Sequence, residues 1–108
     1  MRIFSLKTCD TCRKALRELR DMGHEPQIID VRSDGVSAAD LTLFWQEFGD
    51  DLLNRRSTTW RGLTDDERAR SPLDLLGRYP TLMKRPVIEA DGQLFLGWGD
   101  ETRAALLG

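Results

Sequence analysis

The hydrophobic pattern of this chain changes period several times, and the order of those changes points to a mixed α/β fold. Arg2 to Leu6 is short and mostly apolar, which predicts a strand. From Thr11 the apolar residues fall at Cys12, Ala15, Leu16, Leu19 and Met22, while Arg13, Lys14, Arg17, Glu18 and Asp21 take the other positions. That is the spacing of one helix face, and Gly23 suits its C-terminus. Pro26 to Val31 predicts a second strand, so the first third reads as a β-α-β unit. In the last third, Pro86 to Ala90 and Gln93 to Leu96 predict two strands joined by Asp91-Gly92, a two-residue hairpin turn. After Gly97-Trp98-Gly99, residues 100–107 predict a closing helix.

The middle of the chain reads as helical. Ser37 and Asp40 can start a helix whose apolar stripe is Leu41, Phe44, Trp45 and Phe48, with Gly49 as its stop. Thr64 and Glu67 have capping-box spacing, and Ser71-Pro72 places a proline directly after an N-cap. Pro80 ends that helix. The order β-α-β, helices, β-β-α fits an α/β thioredoxin-like fold in one domain, residues 1–108, with a helical insertion over about residues 37–83.

Two cysteines stand at the first strand–helix junction, in Cys9-Asp10-Thr11-Cys12. The thiolate is the nucleophile, so a reactive cysteine needs its pKa lowered, and the unpaired N–H groups at a helix start supply that. Lys7, Arg13 and Lys14 add positive charge nearby, whereas Asp10 opposes ionisation. Three residues apart, Cys9 and Cys12 share one helix face. Cys12 also begins the apolar stripe, which implies burial and a raised pKa. Cys9 is therefore expected to attack and Cys12 to resolve. A zinc site needs about four ligands, and the chain has two cysteines and one histidine, His24 at the far end of the helix, so no metal is expected. His24 itself reads as an exposed helix-end residue.

The formal net charge of -2 gives no electrostatic reason to expect nucleic-acid binding. Neither a secretory leader nor a membrane span is visible, so the expected compartment is the reducing cytoplasm. In that compartment a close cysteine pair points to catalysis rather than a static cross-link.

Three motifs carry a resemblance. Residues 7–15 (Lys-Thr-Cys-Asp-Thr-Cys-Arg-Lys-Ala), 52–61 (Leu-Leu-Asn-Arg-Arg-Ser-Thr-Thr-Trp-Arg) and 83–88 (Met-Lys-Arg-Pro-Val-Ile) resemble the arsenate reductase ArsC/Spx family over essentially the whole chain. The Asn-Arg-x-x-Thr-Thr-Trp-Arg run is most similar to the small YffB-type branch. The resemblance implies a thioredoxin-like fold with a helical insertion and Cys9 as nucleophile. It also implies that Arg85, before Pro86, binds an oxyanion, and it suggests a cis Arg85–Pro86 bond. Arsenate reductases use further arginines, but Asn54 and Gly97 stand where those would align. Losing two charge-assisted contacts weakens oxyanion binding by several kcal/mol on order-of-magnitude arithmetic, which argues against efficient arsenate reduction.

These readings converge on a thiol-dependent oxidoreductase working by thiol–disulfide exchange, with Cys9, Cys12 and Arg85 as catalytic candidates. Arg13, Lys14, Arg55, Arg85 and Pro86 are the candidates for holding a small thiol or oxyanion substrate. Arg56 and Arg61 could add anion contacts. Trp45 and Trp60 read as core, and Trp98, between glycines, as partly exposed at a binding surface. No bound cofactor is expected; glutathione, glutaredoxin or thioredoxin would supply electrons, the last two as redoxin partners. The alternative is a Spx-like redox-sensing regulator that binds the RNA polymerase α subunit. Such regulators generally extend past the final helix, whereas this sequence stops at Gly108, which favours the enzyme.

Overall fold

Strand β1 (Arg2–Ser5) is the centre of a four-stranded sheet, and both of its middle residues, Ile3 and Phe4, are buried. A computed structural model describes residues 1–108. Burial on both faces is what a central strand with a near-continuous apolar run requires. β1 pairs in parallel with β2 (Gln27–Asp30), Ile3 opposite Ile28, and antiparallel with β3 (Val87–Ala90), Ile3 opposite Ile88. β4 (Gln93–Leu96) closes the order β2-β1-β3-β4 by pairing antiparallel with β3. Asp91 and Gly92 connect them with φ of 51° and 77°, the pair of positive values that a two-residue hairpin turn of this hand needs.

Helix α1 (Asp10–Asp21) connects the two parallel strands. Its end is a Schellman motif: Gly23, at φ 89°, donates its N–H to the Arg20 carbonyl, and His24 donates to that of Leu19. The chain therefore leaves the helix before Met22 can join the apolar stripe, and Met22 is 56% exposed instead of packing as its spacing suggested. Ala15 and Leu19 pack with Ile3, Ile88 and Trp98 in one buried cluster, which Leu106 and Leu107 of the last helix, α6 (Asp100–Leu107), extend. His24 is half-buried, its Nε2 lying 3.1 Å from the Leu106 carbonyl oxygen.

The structure divides into two compact units, Met1–Asp34 with Arg85–Gly108, which holds the sheet, and Gly35–Lys84. The second unit is built of helices and one isolated antiparallel bridge, Leu53 with Met83. Ser37 caps α2 (Ala38–Phe48), and Gly49, at φ 57°, terminates it before a 3-10 turn over Gly49–Leu52. Ser57, Thr64 and Ser71 then cap α3 (Thr58–Arg61), α4 (Asp65–Arg68) and α5 (Pro72–Arg78), with the Thr64–Glu67 capping box and Pro72 placed as their spacing predicts. A new cap arrives every seven residues, so α3 and α4 remain single turns. α2 packs against α5, with Leu41, Phe44, Leu75 and Leu76 buried. After a 3-10 turn over Pro80–Leu82, Lys84 donates its N–H to the Leu52 carbonyl at 2.8 Å, while Asn54 donates to that of Leu82 at 2.8 Å. No helix of the structure is long and apolar enough to cross a membrane.

Leu19 is fully buried and Met22 mostly exposed on the same helix. Leu19→Ala is therefore expected to cost about 2–5 kcal/mol in chemical denaturation. Met22→Ala is expected to stay within about 0.5 kcal/mol.

Candidate active site

The segment after β1 is bent by a tight turn in which the Cys9 N–H donates to the Leu6 carbonyl at 2.9 Å. Cys9 is the N-cap of α1, with extended backbone (φ -89°, ψ 114°), and its carbonyl accepts the Arg13 N–H, an early bond of the helix. Its Sγ accepts the backbone N–H of Cys12 at 3.4 Å. A sulfur here occupies the place usually taken by a serine or aspartate oxygen, so it meets the orphan donors and the positive end of the helix directly. Cys9 is half-buried, whereas Cys12 is 2% exposed on the inner face. Both are free thiols.

The two thiols are driven apart in acidity. Burial works against ionisation of Cys9, but hydrogen bonds from the Cys12 thiol and backbone, then the charge and hydrogen bonding of Arg85, outweigh it and leave its pKa below the ordinary 9.0. Burial pushes Cys12 up to about 12, assisted by its hydrogen bond to Cys9 and the charge there. Arg85 is half-buried with its Nε inside the protein, and it precedes β3 through a cis peptide bond to the buried Pro86. The structure thus brings together Cys9, Cys12 and Arg85 from opposite ends of the sequence.

The other expected binding residues are placed differently. Arg13 forms an ion pair with Asp10 on the surface, and Lys14 is exposed. Neither appears among the causes that lower Cys9. Arg55 belongs to the second unit, where it makes two 2.8 Å bonds to Asp50 and lies 5.6 Å from the centre of the half-buried Trp60 ring. Arg56 and Arg61 are exposed, and Trp45, like Trp60, is half-buried. The Asn54 side chain accepts the Arg56 backbone N–H at 3.0 Å, so it builds its own turn. Gly97 has φ 83°, a conformation that an arginine rarely adopts, and donates its N–H to the Pro86 carbonyl at 2.8 Å. Trp98 corrects the expectation of a partly exposed ring. It is 9% exposed, with its indole N–H donated to Glu18, because the tight backbone at Gly97 turns it into the cluster under α1.

Sequence reasoning missed Asp30. This buried carboxylate ends β2 and accepts the backbone N–H groups of Arg32 (2.9 Å), Ser33 (3.0 Å) and Lys7 (3.3 Å). The Ser33 bond leads the set that holds its pKa below the usual carboxylate range against the effect of burial. Through Lys7, Asp30 ties the loop after β2 to the turn that presents Cys9. The available signal was an acidic residue inside an otherwise apolar strand. No group of three or more His, Cys, Asp or Glu side chains converges to hold a metal ion.

Comparison with known proteins places this geometry in a family context. A model of the ArsC family matches residues 4–106. An uncharacterized protein of Haemophilus influenzae is 41% identical over 106 residues, covering 92% of this chain and 91% of its own length. Among solved structures, a YffB protein superposes with a TM-score of 0.89 at 29% identity, over 98% of this chain and 97% of its own. An arsenate reductase (ArsC) related protein from Brucella melitensis gives 0.71 at 34% identity, over 97% and 93%. An arsenate reductase from Vibrio cholerae, 21% identical with a TM-score of 0.77 over 98% and 96%, shares the fold.

Thiolate absorbance against pH tests the electrostatics. Removing the guanidinium by Arg85→Gln deletes two of the causes that lower Cys9, so its titration is expected to move to higher pH. The fraction of thiolate at neutral pH then falls; a midpoint that stays in place would exclude Arg85 from the site's electrostatics. Asp30→Ala leaves three backbone donors without their acceptor and is expected to cost about 2 kcal/mol of stability, read by denaturant titration.

Proposed function

Because the chain belongs to the ArsC family, we propose that it is a thiol-dependent oxidoreductase that runs on the unequal pair Cys9 and Cys12. The observation that carries this reading is the divergence of the two thiols three residues apart, one lowered beside Arg85 and one buried and raised to about 12. A nucleophile whose thiolate form is favoured and a protected second thiol are what stepwise disulfide exchange needs.

In this mechanism the Cys9 thiolate attacks one sulfur of a substrate disulfide. A Cys9–substrate S–S bond forms as the substrate bond breaks, and the other sulfur leaves as a thiolate with the electron pair. Arg85 stabilises negative charge at that point and holds an anionic group of the substrate. Cys12, once deprotonated, attacks the Cys9 sulfur and releases the second substrate thiolate, so the two electrons delivered leave a Cys9–Cys12 disulfide. Two glutathione thiols, or the dithiol of a redoxin partner, return them. The same Cys9 could instead be freed from its adduct by glutathione directly.

Arsenate fits this site less well as a substrate. Asn54 is engaged in its own turn, and Gly97 has a backbone unsuited to arginine, so Arg85 is the family arginine that remains. The reading is tested with a disulfide substrate, glutathione and intact-protein mass spectrometry. Cys9→Ser is expected to reduce turnover to background. Cys12→Ser is expected to accumulate a mixed disulfide carrying one glutathionyl group. Undiminished turnover by the Cys9 variant would sink the proposal.

A further inference from the structure

The outward face of α1 carries Lys14, Arg17 and Arg20, spaced so that neighbouring cations stand about one turn apart. All three are exposed and take part in no ion pair. The acids of the helix leave them open. Glu18 follows Lys14 by one turn, the usual place for a counter-ion, but its carboxylate is turned to the Trp98 indole and the Arg103 guanidinium. Asp10 is taken by Arg13. Asp21 follows Arg17 by one turn, the poorer order for a helical ion pair, and the two form none. Around α5, by contrast, Arg70 and Arg78 share Asp74. Like charges one turn apart weaken a helix, so stability does not account for the row. It lies on the helix that Cys9 caps and runs away from that sulfur.

We propose that this row is the docking face for an acidic segment of a polypeptide partner whose sulfur exchanges with Cys9. The proposal rests on the thiol-exchange reading above and names a partner class for it. Distance separates a polypeptide from a small thiol. Counted from Cys9 at about 1.5 Å per residue, Arg17 and Arg20 lie roughly 12 and 17 Å along the helix. A tripeptide reaches about 10 Å at full extension, so a small thiol bonded to Cys9 stops short of them. A polypeptide with acidic residues about four to seven places from its cysteine reaches both. Nucleic acid suits the row less well, because Asp10 and Asp21 stand at its two ends and the chain carries a net charge of -2. In the exchange, the Cys9 thiolate attacks the polypeptide sulfur of a disulfide. A new S–S bond forms as the old one breaks, and the other sulfur leaves as a thiolate with the electron pair. Exposed charge of this kind acts mainly by steering the encounter, so the rate is the readout.

The test uses the full chain carrying Cys12→Ser, so that adducts accumulate, and three synthetic peptides. Each has an N-terminal cysteine held as its mixed disulfide with thionitrobenzoate, a Gly-Ser-Gly spacer, and then a run of glutamates, glutamines or lysines. Release of the coloured thiolate gives the rate. At low ionic strength the glutamate peptide is expected to react about tenfold faster than the glutamine peptide, with the lysine peptide slowest. That preference should shrink as salt is added. In Arg17→Gln/Arg20→Gln it should fall below about threefold, while the glutamine peptide keeps its rate. Equal rates for the glutamate and glutamine peptides would overturn the docking face. So would a preference that persists in the double variant, which would put acid recognition at Lys7 or Arg85. Equal rates together with binding of a DNA duplex that the double variant loses would assign the row to nucleic acid instead. Failure of all three peptides to release thiolate would overturn the thiol-exchange reading on which the proposal rests.

Discussion

The contact between the Cys9 sulfur and the Cys12 N–H is the interaction around which the site is organised. It caps α1, and in doing so it fixes the end of β1, the Leu6–Cys9 turn and the first residue of the helix in one geometry. A cap of this kind ties the helix start and the proposed nucleophile to the same atom. The donors that an oxygen cap would satisfy for stability are here satisfied by a sulfur whose charged form they favour. Everything behind that contact keeps it in register. Asp30 holds the turn from one side through Lys7, and the Ala15–Leu19 face anchors the helix against the sheet.

The electrostatics are shorter in range than the sequence suggested. Lys7, Arg13 and Lys14 stand near the cysteines in the chain, and a simple count of charge makes them the activating cations. In the folded protein Arg13 and Asp10 engage each other, so the nearest cation and the opposing carboxylate largely cancel. Cys9 is lowered first by the hydrogen bonds from Cys12, and the cation that adds to them is Arg85, delivered by the segment entering β3. Exposed charges are screened by water, whereas a half-buried guanidinium beside the sulfur is not screened to the same degree.

Most of the fold was legible because it rests on local rules. The Asp91-Gly92 turn, the Thr64–Glu67 box, the Ser71-Pro72 start and the last helix all appear where residue chemistry placed them. Helix spacing also marked Cys12, Ala15 and Leu19 as inward-facing, and they are. The misses share a cause. Met22 has the right spacing, but the Schellman turn ends the helix before its side chain can follow the stripe. Trp98 lies between glycines, which by themselves suggest an open loop, yet the ring is claimed by Glu18 and the α1 cluster. Asp30 is the strand residue its position suggested, but its side chain also serves three amides from two loops. Each depends on contacts distant in sequence or on a single φ value, and periodicity carries neither.

The acidity gap between the thiols also sets the direction in which an exchange would run. With its pKa near 12, Cys12 supplies almost no thiolate at neutral pH while Cys9 is a free neighbour. Burial is the largest cause of that elevation, but the hydrogen bond to Cys9 and the charge there come with it. Both of these disappear once the Cys9 sulfur is locked in a mixed disulfide, which neither carries charge nor offers the same bond. Formation of the adduct thus removes part of what silences Cys12. Burial persists, and it still opposes ionisation of Cys12 in the proposed resolving step. Cys9, as the lower-pKa sulfur, is also the better leaving group, so in the proposed exchange an external thiol that attacks the substrate sulfur of the adduct would release the Cys9 thiolate directly. In the proposed exchange the Cys9 adduct therefore has two routes out, and the balance between them depends on how readily a small thiol reaches it.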